Sequence, residues 1–261
     1  MEQSVYMRFY NEEAPERWGR HEMSQELAIT LDWLTRSGCH QPRSVVLELG
    51  CGMGALSSIH SNYIGVDLSH SALRRFDREV SRINASMEAV PLKNDSVDFV
   101  FSWAALEHVP HPEHVLLEIE RVLRPGGVAF LAPAWNVRSW AAKALPVRKY
   151  QELNYADRFS KAMIPLRNSI LWRAMAAVPR RVKREVTLIR KRPVRFDYSK
   201  LKPTMDRYEY TDCDAFSSMD AHAAICYFLS RKWQILSHSS VGSRLSVRHE
   251  PVVVRKPQLE S

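Results

Sequence analysis

The run Glu48-Leu49-Gly50-Cys51-Gly52-Met53-Gly54 directly follows a short β-branched apolar stretch and is the strongest chemical signal in the chain. Glycines at alternate positions let a backbone turn sharply and approach a ligand with no Cβ in the way. A bare G-x-G-x-G is also what a tight strand-to-helix turn with no ligand looks like. Asp67 changes that weighting. It closes a second apolar stretch, Tyr63 to Leu68, about one βα unit further on, where a carboxylate accepts hydrogen bonds from both hydroxyls of a ribose. Alone, an aspartate there reads equally as a helix cap; together the two features favour an adenosine-containing ligand. A dinucleotide dehydrogenase would show G-x-G-x-x-G, whereas here the glycines stand at Gly50, Gly52 and Gly54, followed by Ala55 and Leu56.

The elements that must position these residues are legible from periodicity. Met23 to Thr35 places Leu27, Leu31 and Leu34 at helical spacing, with Gly38 as a stop. Ser44 to Leu49, Tyr63 to Leu68, Val97 to Ser102 and Val128 to Ala132 are short apolar runs of the kind that form strands buried on both faces. Between them, Ser69 to Ser81 is expected to be a helix opened by Ser69. Pro112 to Leu123 is expected to be an amphipathic one ended by the Pro-Gly-Gly at 125–127. Strands and helices alternating in this way predict an α/β fold, a mostly parallel sheet with helices on both faces. Ala221 to Arg231 reads as a late helix capped by Asp220, and Trp233 to Ser237 with Pro251 to Arg255 as a closing antiparallel pair.

In the order VVLELGCGMGALSS, IGVDLS and MEAVPLKNDSVDFVFSWAALEHVPHPEHVLLEIERVLRPGGVAFLAPA, the segment from about Ser44 to Pro133 resembles the class I methyltransferases, in particular the methyltransferase type 11 group. The resemblance implies a Rossmann-like seven-stranded sheet, S-adenosyl-L-methionine as methyl donor, and a cofactor lying across the C-terminal ends of the first strands. Carried over by position, Glu48 reaches the methionine ammonium, and Leu49, Gly50, Cys51, Gly52 and Gly54 form the turn beneath it. Asp67 takes the ribose hydroxyls and Leu68 packs on the adenine. Many members carry an acid against the adenine amino group where this chain has Ser86, followed by Met87 and Glu88, so the acceptor is either the Ser86 hydroxyl or Glu88. Ser102 and Trp103 line the cleft. Tyr10, in an aromatic stretch with Tyr6, Phe9 and Trp18, is either part of a lid over the cofactor or a staple onto the core.

Methyl transfer needs orientation and, for a hydroxyl acceptor, a base. His108 is the candidate base, since an imidazole titrates near neutrality; its other reading is a packing residue near the cofactor. His111 and His114 fit no metal-ligand spacing, and no metal is expected. The four cysteines are far apart and form no C-x-x-C pair, and the N-terminal residues lack the apolar core of a signal peptide. A cytoplasmic protein is expected.

The formal charge of +8 is unevenly spread: residues 135–210 hold 19 lysines and arginines against six acids. We read a basic, mainly helical insertion after the fifth strand. It gives one domain with an N-terminal cap (1–43), a cofactor core (44–134), the insertion (135–210) and a closing region (211–261). Within the insertion, Pro165 to Pro179 is expected to be a bounded amphipathic helix with Leu166, Ile170, Leu171, Met175 and Val178 as its stripe. It serves either as a substrate lid or, with its basic tail through 165–192, as a peripheral membrane contact; nucleic acid ranks third for want of interleaved aromatic platforms. The C-terminal part, with Asp212-x-Asp214-Ala215 and a closing V-V-x-R-K, looks like methyltransferases encoded with bacterial cell-surface glycan enzymes. Turn formation explains Asp212 and Asp214, with contact to an acceptor or cation as the alternative. The expected reaction is O-methylation of a small-molecule or glycan acceptor, anionic forms included. The alternatives are N-methylation of a small amine, RNA methylation, and a degenerate domain that only binds.

Overall fold

A computed structural model describes residues 23–76, 78–204 and 212–258. In chain order, α1 (Ser24–Arg36) precedes β1 (Val46–Leu49) and β2 (Tyr63–Asp67); then come α2 (His70–Leu73), β3 (Ser81–Asn84), β4 (Val97–Trp103), α3 (Pro112–Val122) and β5 (Leu123–Ala132). Four helices follow: α4 (Ser139–Ala142), α5 (Tyr155–Ala162), α6 (Ile164–Asn168) and α7 (Ile170–Ile189). The chain closes with β6 (Tyr198–Lys200), β7 (Ser217–Met219), α8 (Ala221–Leu229), β8 (Gln234–Ile235), α9 (Val241–Ser246) and β9 (Val252–Arg255).

Seven strands form one sheet in the order β3-β2-β1-β4-β5-β9-β8. Strands β1 to β5 pair in parallel, and β9 runs antiparallel to β5. This is the mostly parallel α/β sheet that the alternating pattern predicts. β1 is buried along its whole length between β2 and β4, as its predominantly apolar run predicts, with Glu48 the one polar residue carried into the core. The described residues divide into two compact units: those up to Leu106 with His111–Pro133 and Pro251 onward, and Glu107–Pro110 with Ala134–Glu250.

Four boundaries differ from expectation. The helix opened by Ser69 stops at Leu73, although Ser69 does cap it, its hydroxyl accepting from the Ala72 amide. Ser81 begins an edge strand instead, and Ser-Arg-Ile-Asn has a single apolar residue, too few to show a period. Helix α3 ends at Val122 and passes straight into β5, so that Pro-Gly-Gly forms an irregularity inside the strand rather than a loop. Leu123 pairs with Val97, and pairing resumes regularly at Val128 with Phe99. Pro179 does not bound its helix but lies inside α7, which runs ten residues beyond it. A proline there leaves carbonyls of the preceding turn without amide donors, and the Arg180 side chain donates to the Ala176 carbonyl at 2.8 Å. Finally, α9 is inserted between β8 and β9, and β6 pairs with β7 in a small antiparallel sheet that no apolar period announces.

Candidate functional site

The turn after β1 is pinned by its neighbour strand: the amides of Gly50 and Cys51 both donate to the Val66 carbonyl, at 2.8 and 3.1 Å. Gly50 has φ +77°, and a Cβ on it would stand 2.3 Å from the Ala105 Cβ and 3.2 Å from the Met87 Cε. No other residue fits there, and Met87 is thereby brought against the glycine turn. Gly52, at φ +51°, is different, because nothing lies within 4 Å of where its Cβ would be. Its amide donates to the Asp67 carboxylate at 2.8 Å, and the Ser69 amide donates to the other carboxylate oxygen at 2.7 Å. Two backbone donors thus fix the plane of Asp67 at the end of β2. Gly54 closes the turn through its amide to the Cys51 carbonyl. Cys51, like the other three cysteines, is a buried free thiol, and burial pushes its titration up.

Glu48 is buried in the middle of the sheet, where Tyr63 donates its hydroxyl to the carboxylate. Burial raises its pKa to about 8, against the pull of the Tyr63 hydrogen bond, so in the free protein at neutral pH it is largely protonated. The carboxyl is held ready to ionise when a cation approaches. Leu49 is fully buried, and its carbonyl accepts from the Ser102 hydroxyl at 2.8 Å. Trp103 is held by its indole N–H to the Thr30 hydroxyl at 2.7 Å and packs on Phe130.

The segment 86–88 is a turn in which the Ser86 hydroxyl accepts from the Glu88 amide at 3.2 Å. Among the described residues, Glu88 Oε1 is buried with no hydrogen-bond partner. A buried carboxylate oxygen left unpaired is costly, and it is the acceptor still open to a ligand's N–H. Leu68 is half-buried, its carbonyl accepting from the Asn84 side chain at 2.9 Å. Tyr10 lies outside the described residues.

His108 belongs to the other unit, six residues along the chain from Ser102. Its Nδ1 stands 3.5 Å from the Asp214 carboxylate and its Nε2 3.8 Å from Glu107 Oε1. Burial pulls His108 towards the neutral form, but Asp214, Glu107 and Asp212 outweigh it and raise its pKa above the usual imidazole value. Glu107 is itself raised by burial; one of its oxygens accepts from the Ala134 amide at 3.1 Å and the other is buried without a partner among the described residues. Sequence reasoning missed Glu107 as a contributor and set Asp212 and Asp214 down as turn residues. Only the return of the chain at 212–214 to His108 reveals the cluster.

Glu185, His222 and Cys226 bring three ligand-type atoms within 4.8 Å of one another. Both Glu185 oxygens are taken by a bidentate Arg244, at 2.9 and 2.8 Å, and Arg181 and Arg184 hold the neighbouring Asp220. Three guanidinium groups around the cluster oppose a cation, so it is an ion-pair network rather than a metal site.

Comparison with known proteins places this geometry in a wider set. The family described as "Methyltransferase domain" matches residues 47–131. An uncharacterized methyltransferase of Mycolicibacterium vanbaalenii is 32% identical over 133 residues, covering 47% of this chain and 52% of that protein. A malonyl-[acyl-carrier protein] O-methyltransferase of Hahella chejuensis is 35% identical over 117 residues, covering 40% of each. A sterol 24-C-methyltransferase of Schizosaccharomyces pombe is 26% identical over 164 residues, covering 58% of this chain and 40% of that protein. The chain spans about half the length of the curated relatives it matches.

Proposed function

We propose that this chain, which belongs through residues 47–131 to the class I S-adenosylmethionine-dependent methyltransferases of the type 11 group, methylates a hydroxyl oxygen of a small-molecule or glycan acceptor. S-adenosylmethionine is its cofactor, and when bound it would supply a sulfonium methyl group whose carbon the acceptor oxygen attacks, the C–S bond breaking to leave a neutral thioether. The residues present fit that group. Glu48 meets the ammonium as it gives up its proton, and the open backbone at Gly52 lets the chain pass close to the methionine part. Asp67, its plane fixed by two amides, takes the ribose hydroxyls. The unpaired Glu88 oxygen accepts from the adenine amino group.

The observation that carries the acceptor chemistry is His108 held at Nδ1 by Asp214. With that nitrogen oriented, Nε2 takes the hydroxyl proton as the new C–O bond forms. The neighbouring carboxylates stabilise the resulting imidazolium. Activity requires neutral His108, so kcat/KM should rise with pH through a limb above the usual imidazole value. Asp214→Asn should move that limb to lower pH, and His108→Ala should remove it. Full turnover by His108→Ala with the true acceptor would exclude His108 as the base.

The collar of Glu107, Asp212 and Asp214 favours a second reading, N-methylation of an amine acceptor, because carboxylates attract an ammonium. Methyl analysis of products from amine and alcohol acceptors separates the two. Cofactor binding is tested by calorimetric titration with S-adenosylhomocysteine, expected at one site per chain and weakened about a hundredfold by Asp67→Ala, the loss of two charge-assisted hydrogen bonds. A folded protein that binds neither cofactor nor product would leave only a non-catalytic domain.

A further inference from the structure

The helix α7 is built inside out. Its buried side chains are Arg181, Arg184 and Glu185, at 8%, 9% and 8% exposure. Arg181 and Arg184 both bind Asp220, at 2.7 and 2.8 Å, while Glu185 takes the bidentate Arg244 and receives His222 at 3.2 Å. The ion pairs therefore face the body of the unit. Leu171, Met175, Val178, Val182, Val186 and Ile189 face away from it, with Leu171, Met175 and Ile189 at 77%, 65% and 78% exposure. At 100° per residue these six fall within an arc of about 80°, one continuous stripe along five turns. Hydrophobicity normally drives such a stripe into the core, and here the ion-pair network holds it outward.

The flank of that stripe is cationic. Lys183 and Arg190 follow one side of it, Lys191 and Arg192 continue the charge past the helix end, and the helix's sole acid, Glu185, is buried. Trp172 lies beside the stripe, and Tyr155 and Phe159 on α5 are exposed as well. Among the described residues no helix is long and apolar enough to cross a membrane. An apolar stripe, a cationic flank and interfacial aromatics are what a helix needs to lie in the plane of a bilayer. A second copy fits less well, because joining two such faces would bring cationic flanks together while each helix's one acid, Glu185, is buried and already paired with Arg244.

We infer that α7 docks the protein on an anionic bilayer surface, its apolar stripe entering the acyl boundary and its arginines and lysines meeting lipid phosphates. The inference stands apart from the proposed reaction and holds whichever acceptor is methylated. Flotation of the full chain with vesicles tests it, using phosphatidylcholine alone and phosphatidylcholine with phosphatidylglycerol. Binding is expected only to the anionic vesicles, and to weaken with added salt. Replacing Lys183, Arg190 and Lys191 with Ser should weaken it about a hundredfold. Leu171→Ser with Met175→Ser, both at exposed positions and checked for an unchanged melting temperature, should abolish it. Absence of binding to anionic vesicles would overturn the inference. So would a concentration-dependent dimer, measured by sedimentation without lipid, that the Leu171→Ser, Met175→Ser pair dissolves; and steeply salt-dependent binding to a short RNA but not to vesicles would overturn it in favour of nucleic acid.

Discussion

At the adenine end of the proposed cofactor site the choice between two side chains turns on a single buried oxygen. Ser86 spends its hydroxyl on the Glu88 amide, whereas Glu88 Oε1 has no partner. Glu88→Ala should therefore weaken S-adenosylhomocysteine binding by about 1–2 kcal/mol, the worth of a hydrogen bond to a charged acceptor. Ser86→Ala should change it by less than about 0.5 kcal/mol. Calorimetric affinities of the two variants check this, and a larger loss in Ser86→Ala would reverse the assignment. The sequence brought the segment 86–88 to notice but could not choose within it, because which oxygen a turn leaves buried and unpaired is decided by folding. The places of Glu48 and Asp67 were legible, since each ends or nearly ends a strand whose apolar run is clear. Glu107 was not, because a glutamate beside a histidine has no pattern until residues more than a hundred positions later return to it.

Among the elements, the strands of the sheet were the most legible, since burial on both faces writes short, predominantly apolar runs for β1, β2, β4 and the Val128–Ala132 part of β5. Edge strand β3, half exposed and polar, left no such trace. In α7 the stripe was legible but its direction was not: periodicity says that one face is apolar, not which face turns inward. The network on the other face decides that, and Asp220 is its pivot, capping α8 through the His222 amide while binding Arg181 and Arg184. Burial alone would raise Asp220, but the two guanidinium groups overcome it and hold the carboxyl below its ordinary range. Removing the charge leaves, among the described residues, buried Arg181 with only the Leu245 carbonyl and Arg184 with only the exposed Asp197 at 3.4 Å, so Asp220→Asn should destabilise the protein by about 3 kcal/mol. Urea unfolding followed by circular dichroism measures the loss. A change within about 0.5 kcal/mol would mean that the network contributes little and that α7 is held outward by something else.

For the molecule as a whole, charge and burial pull stability in opposite directions along the pH axis. The chain is basic, with a formal charge of +8, so acidification adds self-repulsion and favours high pH. The buried acids oppose this. Glu48, raised to about 8 by burial, and Glu107 and His108, raised as well, bind protons more tightly folded than unfolded. Their contribution is complete below the unfolded values and is lost as pH rises through the folded ones. Asp220 and Glu185 are lowered, Glu185 chiefly by its hydrogen bonds to Arg244; their contribution is complete above the ordinary carboxylate range and lost only as pH falls below it. The two sets meet between about pH 4.5 and 5, where the melting temperature should be highest, declining towards pH 8. Glu48 dominates the decline, so Glu48→Gln, which still accepts from Tyr63, should flatten it and gain about 1–2 kcal/mol at pH 8. The same variant should lose affinity for S-adenosylhomocysteine, since an amide cannot meet the ammonium as a carboxylate does. Calorimetric scans from pH 4.5 to 8.5 decide the matter. A melting temperature that climbs steadily to pH 8 in both proteins would mean that Glu48 is already ionised in the folded chain, and the stabilising role assigned to its proton would be wrong.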